Sequence, residues 1–185
     1  GMKIAITGHK HGIGKAFAEQ LSARGHEIIG ISRSDGENIR RVEHTANLIE
    51  PCELFINNAQ SCYAQTELLY AVWKRWQGLK GKHIWNISTQ MTLEPVNSIP
   101  NGLDDLDMSQ YRVQKLALEE ASKQLSFKNR RPVISIIKPG GVNTQGRGGI
   151  DVQKFVDSVI KTFSNPHNIH IMELSLGPSD QRLPL

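Results

Sequence analysis

The chain has 185 residues, with 22 Lys and Arg against 18 Asp and Glu, for a formal charge of +4. This length fits one domain, 1–185, around one hydrophobic core. Its basic residues are scattered, which argues against a nucleic-acid partner, and the patterns predict no metal site. No apolar stretch reaches the length of a membrane span and no signal peptide is evident, so we expect a soluble, cytoplasmic protein with no membrane partner.

Strand-like and helix-like segments alternate along the chain. Strands are predicted at 2–7, 27–32, 53–58, 82–88, 132–138 and 169–175, and helices at 12–24, 42–50, 64–78, 109–127 and 151–164. This order predicts an α/β fold with a doubly wound parallel sheet of six or seven strands, three α/β/α layers and right-handed crossovers.

A glycine-rich turn follows the first strand and opens the first helix. Glycines let the backbone approach a phosphate closely, and a helix N-terminus offers free N–H groups and a positive dipole end. The spacing is Gly-x-x-x-Gly-x-Gly, and its place between the first strand and the first helix favours a phosphate cradle over an ordinary turn. The predicted binding residues here are Thr7, Gly8, Lys10, His11, Gly12, Ile13 and Gly14.

Polar residues also end the later strands. Ligands of open α/β sheets bind beyond the carboxyl ends of parallel strands, so these residues are expected to converge. Alternatively, each of these residues could serve only to form a turn or loop. The residues are Asn57, Asn58 and Ala59, then Ser88, and finally Pro139, Gly140, Val142 and Thr144.

Tyr111 and Lys115 are four residues apart and therefore share one face of the predicted helix. A lysine beside a phenol favours the phenolate, so we expect a lowered Tyr111 pKa. A tyrosine tuned in this way can exchange a proton with a substrate oxygen.

Together these motifs resemble the short-chain dehydrogenase/reductase superfamily, from Lys3 to about Thr144. The resemblance implies a Rossmann-type dinucleotide-binding domain and an oxidoreductase that acts on a carbonyl or secondary alcohol, with Ser88, Tyr111 and Lys115 as the catalytic set. Tyr111 would donate a proton to the carbonyl oxygen, Ser88 would donate a hydrogen bond to the same oxygen, and Lys115 would also bind the nicotinamide ribose.

The chain departs from the family pattern in four places. The helix after the second strand is expected to be missing, which leaves Asn38 where the family has an acidic residue near the adenine. The helix before Ser88 lacks the family's asparagine, which helps to hold a proton-relay water. Residues 91–102 form an added turn-rich segment, either a substrate flap or a surface loop, and the usual lid after Asn143 is short.

NADP(H) is the expected cofactor, with NAD less favoured, because Ser32 and Arg33 follow the second strand where NAD-dependent members carry an acid. A guanidinium can bind a 2′-phosphate, and Lys10 and His11 would add positive charge. Asp35 could supply the missing acid but is better suited to capping its turn.

Three further expectations concern partners and alternatives. A homodimer or homotetramer is expected because the helices at 64–78 and 109–127 carry more apolar surface than one sheet face covers. A non-catalytic dinucleotide-binding sensor and a sugar-nucleotide epimerase-like enzyme remain alternative functions. Cys52 and Cys62 are expected to be free thiols, with Cys62 buried. The apolar residues counted for the oligomer are Leu68, Leu69, Val72, Trp73, Trp76, Val113, Leu116, Ala117 and Leu125.

Overall fold

The computed structural model describes residues 1–94, 105–143 and 148–185, excluding the side chains of residues 105 and 106. Within those residues no helix is both long enough and apolar enough to cross a membrane. The strands are β1 (Lys3–Thr7), β2 (Glu27–Ile31), β3 (Leu54–Asn57), β4 (His83–Ile87), β5 (Val133–Pro139), β6 (Val142–Asn143), β7 (Ile150–Asp151) and β8 (Glu173–Leu176). The helices are α1 (Gly12–Ala23), α2 (Val42–Ile49), α3 (Ala64–Trp76), α4 (Asp105–Lys128) and α5 (Val152–Phe163).

Six strands form one parallel sheet in the order β2-β1-β3-β4-β5-β8. This confirms the predicted doubly wound α/β fold with three layers. Parallel strands in such sheets are buried on both faces, which explains why β1 and β3 are apolar almost throughout. All six carboxyl ends therefore lie at one edge, where the glycine-rich turn and the polar strand ends were expected to meet.

Alternate residues of each strand serve two separate cores. Ala5, Phe55 and Ile84 face the core built with α2, α3 and α4. Ile6 and Trp85 face the other core, to which α1 and α5 contribute. The period of two along the strands fixes which side chain meets which helix layer.

The last crossover has a different hand from the others. β2 and β8 are the two opposite edges of the sheet, yet α1 and α5 lie on the same face and pack on each other. The β5–α5–β8 connection therefore has the opposite hand to β1–α1–β2, and the expectation of right-handed crossovers throughout is wrong at this point. Packing of the apolar face of α5 on α1 stabilises this exception.

Most element bounds agree with the prediction to within two residues. The helix α4 begins at Asp105, four residues before its predicted start, and Asp107 adds a negative charge to the first turn, which suits the positive dipole end of the helix. The strand β8 begins only at Glu173, because pairing with β5 starts there. Residues 32–41 hold a single turn of 3-10 helix, so the helix expected to be missing after β2 is indeed absent.

The apolar surface counted for an oligomer is largely used inside the chain. Leu68, Leu69, Val72, Trp73 and Trp76 of α3 are buried in the core that α3 shares with α2 and α4. The use of these five side chains as an argument for an interface between subunits was therefore wrong, because α3 lies between two neighbouring helices of the same chain. Among the described residues, the exposed large apolar groups on these helices are fewer, namely Tyr70 on α3 and Val113 and Phe127 on α4.

Candidate active site

The glycine-rich turn has a backbone geometry that favours glycine. Gly8 has φ +70° and Gly12 has φ +53°, both in the left-handed region. A Cβ on Gly14 would collide with the carbonyl oxygen of Gly8, so the turn and the helix can approach only without a side chain there. His11 is the N-cap residue of α1, but its side chain makes no capping hydrogen bond, which leaves the first N–H groups of the helix to a ligand or water.

Thr7 and Asn58 hold this turn against the end of β3. The Thr7 hydroxyl accepts hydrogen bonds from the backbone N–H groups of Asn58 at 3.0 Å and Ala59 at 3.1 Å. The Asn58 side-chain amide in turn donates to the Thr7 carbonyl at 3.1 Å. Thr7 is fully buried, so in this arrangement it supports the turn and does not face a ligand.

An acid lies between the end of β2 and the glycine-rich turn. The Asp35 carboxylate pairs with the Lys10 ammonium at 3.0 Å and approaches His9 Nε2 at 3.6 Å. The hydrogen bond from Lys10 is the main reason that the pKa of Asp35 lies below its ordinary value. Lys10 therefore does not present the unpaired positive charge expected of it, whereas Arg33 is exposed at the same edge.

The loop before α2 meets the loop after β3 beside this edge. Asn38 is half-buried, and its side-chain oxygen accepts a hydrogen bond from the backbone N–H of Arg40 at 2.9 Å. The Arg40 guanidinium donates to the Ser61 hydroxyl at 2.7 Å and to the Cys62 sulfur at 3.3 Å. Both cysteines are free, but Cys62 is exposed, so its expected burial is wrong.

Tyr111 and Lys115 lie on one face of α4, with the ammonium 5.6 Å from the centre of the phenol ring. The Lys115 Nζ donates instead to the Gln65 side-chain oxygen at 2.9 Å and the Ile87 carbonyl at 2.8 Å. Burial raises the pKa of Tyr111 above its ordinary value, so the expected lowering is wrong in this arrangement. Burial also lowers the pKa of Lys115 to about 8, a shift that the neighbouring Glu119 carboxylate partly offsets.

A buried polar network continues from Gln65 beneath the strand ends. The Gln65 amide nitrogen donates to the carbonyls of Asn57 at 2.7 Å and Ile87 at 3.0 Å. The Asn57 side-chain amide donates to Asn86 at 2.9 Å, and Asn86 donates to the Ser122 hydroxyl at 2.9 Å. Asn57 is fully buried, so it joins β3 to α3 and β4 and has no surface for a cofactor.

Ser88 is buried at the end of β4 and hydrogen-bonded to an acid. Its hydroxyl donates to the Glu119 carboxylate at 2.6 Å. Glu119 also forms a buried ion pair with Lys138 at 3.2 Å, and Lys138 lies 3.5 Å from the more exposed Glu173. A hydroxyl has one proton, so while Glu119 accepts it Ser88 cannot also donate to a substrate oxygen.

The Pro139-Gly140 turn lies under a glutamine. A Cβ on Gly140 would collide with the side chain of Gln90, whose amide donates to the Ser175 hydroxyl at 2.9 Å. Gln90 is two residues after Ser88. Its polar side chain lies over the Pro139-Gly140 turn, which was predicted to bind the cofactor. Pro139 itself is half-buried at the end of β5.

The two loops around this edge are described only in part. Val142 pairs with Ile150 in the small β6–β7 sheet, and Thr144 lies outside the described residues. The Arg112 guanidinium donates to the carbonyls of Thr92 at 3.1 Å and Glu94 at 2.9 Å, which joins the start of the expected flap to α4. The rest of the flap lies outside the described residues.

Three residues of this site were missed at the level of sequence. Glu119 is four residues after Lys115, so its place on the same helix face could have been inferred. No comparable sequence pattern indicated Gln65 or Gln90, because the residues that they contact are distant in the chain. The structure thus brings together Ser88, Tyr111 and Lys115 with acids and amides that no motif indicated.

Comparisons with known proteins support the fold. Neither family models nor curated protein sequences give a match. Among solved structures, serine dehydrogenase from Escherichia coli has a TM-score of 0.74 at 16% identity, covering 98% of this chain and 100% of that chain. The bulky-bulky ketone specific alcohol dehydrogenase from Comamonas testosteroni has a TM-score of 0.71 at 19% identity, covering 94% of this chain and 85% of that chain. A short-chain dehydrogenase from Sphingobium yanoikuyae in complex with NADPH has a TM-score of 0.68 at 19% identity, covering 94% of this chain and 87% of that chain. The chain therefore has the fold of the short-chain dehydrogenases/reductases.

Proposed function

We propose that this protein is an NADP-dependent oxidoreductase that transfers a hydride between a nicotinamide cofactor and a carbonyl or secondary alcohol. The observation that carries the proposal is the Tyr111–Lys115 pair on one face of α4, with the ammonium 5.6 Å from the phenol ring. The pair lies at the edge of the sheet where ligands of open α/β folds bind. The solved structures with this fold include several dehydrogenases.

The glycine-rich turn fits a dinucleotide. The left-handed backbone at Gly8 and Gly12 and the close approach at Gly14 leave a surface without side chains in front of the α1 N-terminus. Such a surface suits a pyrophosphate, which accepts hydrogen bonds from free N–H groups. The nicotinamide cofactor would supply the hydride, and the chain would supply binding, orientation and proton transfer.

Tyr111 is the proposed proton donor in carbonyl reduction. Burial raises its pKa, so the phenol keeps its proton at neutral pH and can donate it, but it is a weaker acid than a tyrosine with a lowered pKa. Lys115 uses two of its three N–H donors within the protein, and the third can bind a ribose hydroxyl. The Gln65 side-chain oxygen accepts one of these two hydrogen bonds.

Ser88 completes the proposed catalytic set, with a role that depends on Glu119. Donation to a substrate oxygen requires the Ser88 hydroxyl to rotate away from the carboxylate. Without that rotation, Ser88 offers only lone pairs and would accept a hydrogen bond from the substrate. The Ser88→Ala variant separates these roles. If Ser88 donates to the substrate oxygen, the variant should turn over every carbonyl substrate more slowly. If Ser88 only accepts, the variant should be slower only with substrates that carry a hydrogen-bond donor.

A dinucleotide-binding protein without turnover is the second candidate. It is favoured by the internal hydrogen bonds that occupy both Ser88 and Lys115. A screen of small aldehydes, ketones and secondary alcohols, monitored by NADPH absorbance, distinguishes the two. Tight NADPH binding with no turnover on the whole panel would support the binding protein and contradict the oxidoreductase.

We expect NADPH to bind more tightly than NADH, and Arg33→Ala to remove most of that preference. The exposed Arg33 guanidinium can pair with the 2′-phosphate, and each charge-assisted hydrogen bond contributes about 1.5–3 kcal/mol, or about tenfold or more in affinity. Asp35→Asn is expected to strengthen NADPH binding, because it removes the acid and releases Lys10. Tryptophan fluorescence titrations with both cofactors measure these affinities.

Lys123→Ala, which changes an exposed lysine on α4, is the matched control for loss of one positive charge. Equal affinities of the native protein for the two cofactors would contradict the NADP preference. An Arg33→Ala variant that binds NADPH as tightly as the Lys123→Ala control would place the 2′-phosphate elsewhere.

We also expect a homodimer or homotetramer built on the outer faces of α3 and α4. Val113 is 48% exposed and Tyr70 is 37% exposed, which leaves apolar groups for a partner helix. Val113→Lys should then lower the molar mass measured by light scattering at micromolar concentration, while Lys123→Ala should not. A monomer mass for the native chain, with and without NADPH, would refute this expectation.

A further inference from the structure

A cavity of about 760 Å³ lies at the end of the sheet opposite to Tyr111. Its lining includes the first residues of β4 and β5, His83 and Val133, and most of the segment 164–172 between α5 and β8. The proposed cofactor site lies beyond the carboxyl ends of these same strands. The two sites are therefore separated by the length of the sheet.

The cavity follows from how the helices are distributed. Within the described part of the chain, three helices cover one face of the sheet, whereas two helices, α1 and α5, contribute to the core on the other face. Because α5 packs on α1, the part of this face near the start of β5 is covered by residues 164–172, which form no helix. A loop fills the space beneath it less completely than a helix, and the side chains of Trp85, Phe163 and Ser135 line what remains.

The walls combine an apolar floor with positive or neutral polar groups. Trp85 and Phe163 stack with ring centroids 4.6 Å apart, and Met172 and Ile169 add exposed apolar surface. Arg130 contributes a guanidinium at the rim. Two imidazoles complete this part of the wall, those of His83 and His170.

The charge of the walls has one sign. Among the described residues that line the cavity there is no Asp or Glu. Burial and the neighbouring His170 lower the pKa of His83, as expected for imidazoles near each other with no acid to offset them. An anionic group would therefore meet only neutral or positive side chains here.

We propose that this cavity binds a small amphipathic carboxylate, with its apolar or aromatic body against Trp85 and Phe163 and its carboxylate near Arg130. The volume lies within the range of about 300–1,000 Å³ that is typical of small-molecule sites. An aromatic body would pack mainly on the half-buried Phe163 ring and on the small part of Trp85, 7% of the residue, that remains accessible. This site is independent of the proposed oxidoreductase function.

Naphthalene-2-carboxylate is the probe, and naphthalene-2-methanol is its neutral counterpart. Binding to the full chain is measured by calorimetry, and the site is located from the shift of the Trp85 indole N–H signal in NMR spectra. The carboxylate should bind at least about fivefold more tightly than the alcohol and should shift the Trp85 signal. Arg130→Ala should weaken carboxylate binding by about three- to fivefold, since the guanidinium is exposed and exposed ion pairs are weak.

Arg131→Ala is the matched control, because Arg131 is the adjacent exposed arginine and does not line the cavity. It should bind the carboxylate as the native protein does. Equal affinity for the alcohol, an unchanged affinity in Arg130→Ala, or no binding at millimolar carboxylate would each overturn the proposal. A loss of binding that appears only as the chain self-associates in light scattering would assign the cavity to a second copy instead.

Discussion

Tyr111→Phe is expected to abolish most turnover while leaving NADPH binding intact. The substitution removes the phenolic proton and keeps the ring, so the packing of α4 and the contact with Lys115 remain. General acid catalysis contributes about 10²–10⁴-fold, and kcat should fall by a factor in that range. The measurement is steady-state oxidation of NADPH with the best substrate from the carbonyl screen, together with a fluorescence titration of NADPH.

Tyr70→Phe is the matched control, because Tyr70 is exposed on the outer face of α3, away from Lys115. Its kcat should equal that of the native protein. If Tyr111→Phe retains native kcat with intact NADPH affinity, the proton comes from another group and the assignment of Tyr111 fails. If both properties are lost, the variant has disturbed the fold, and the midpoint of a urea transition shows this directly.

Glu119→Ala is expected to destabilise the protein by about 3 kcal/mol. The substitution leaves Lys138 and Ser88 buried without the carboxylate that both contact. Removal of one partner of a buried ion pair costs about 3–5 kcal/mol. The lower end applies here because Glu173, 3.5 Å from Lys138 and partly exposed, still compensates some of the charge. Urea unfolding gives the free energy.

Glu120→Ala is the control, since Glu120 is the next residue on α4 and is exposed, so its loss should change stability by less than about 0.5 kcal/mol. The double variant Glu119→Leu with Lys138→Met should recover much of the lost stability, because it removes both buried charges. A Glu119→Ala variant as stable as Glu120→Ala would mean that the buried ion pair makes no net contribution.

The types and order of the elements were readable from the sequence because they depend on local periodicity. Apolar residues at helical spacing predicted α5, and short apolar runs between turns predicted the strands of the sheet. The glycine-rich turn was equally clear, since positive φ at Gly8 and Gly12 favours glycine at those positions. The spacing of Tyr111 and Lys115 also placed them on one face of α4, as the structure confirms.

The surroundings of those same residues were not readable, because they depend on long-range packing. Lys115 was expected to act on Tyr111, but its ammonium binds Gln65, fifty positions away in the chain. Ser88 was expected to face a substrate, but its proton goes to Glu119, thirty-one positions away. Burial, which no local pattern reports, then raised the pKa of Tyr111 where proximity to a lysine had predicted a decrease.

By itself, therefore, the sequence determined the α/β fold, the glycine-rich turn before α1 and the position of the Tyr–Lys pair on one helix face. These depend on backbone sterics and on periodicities that repeat within a few residues. Only the tertiary structure decided the hand of the last crossover, the partners of Ser88 and Lys115 and the cavity beside Trp85. Each of these arises where segments distant in the chain meet, and the free energy of desolvating polar groups there selects the hydrogen bonds that form.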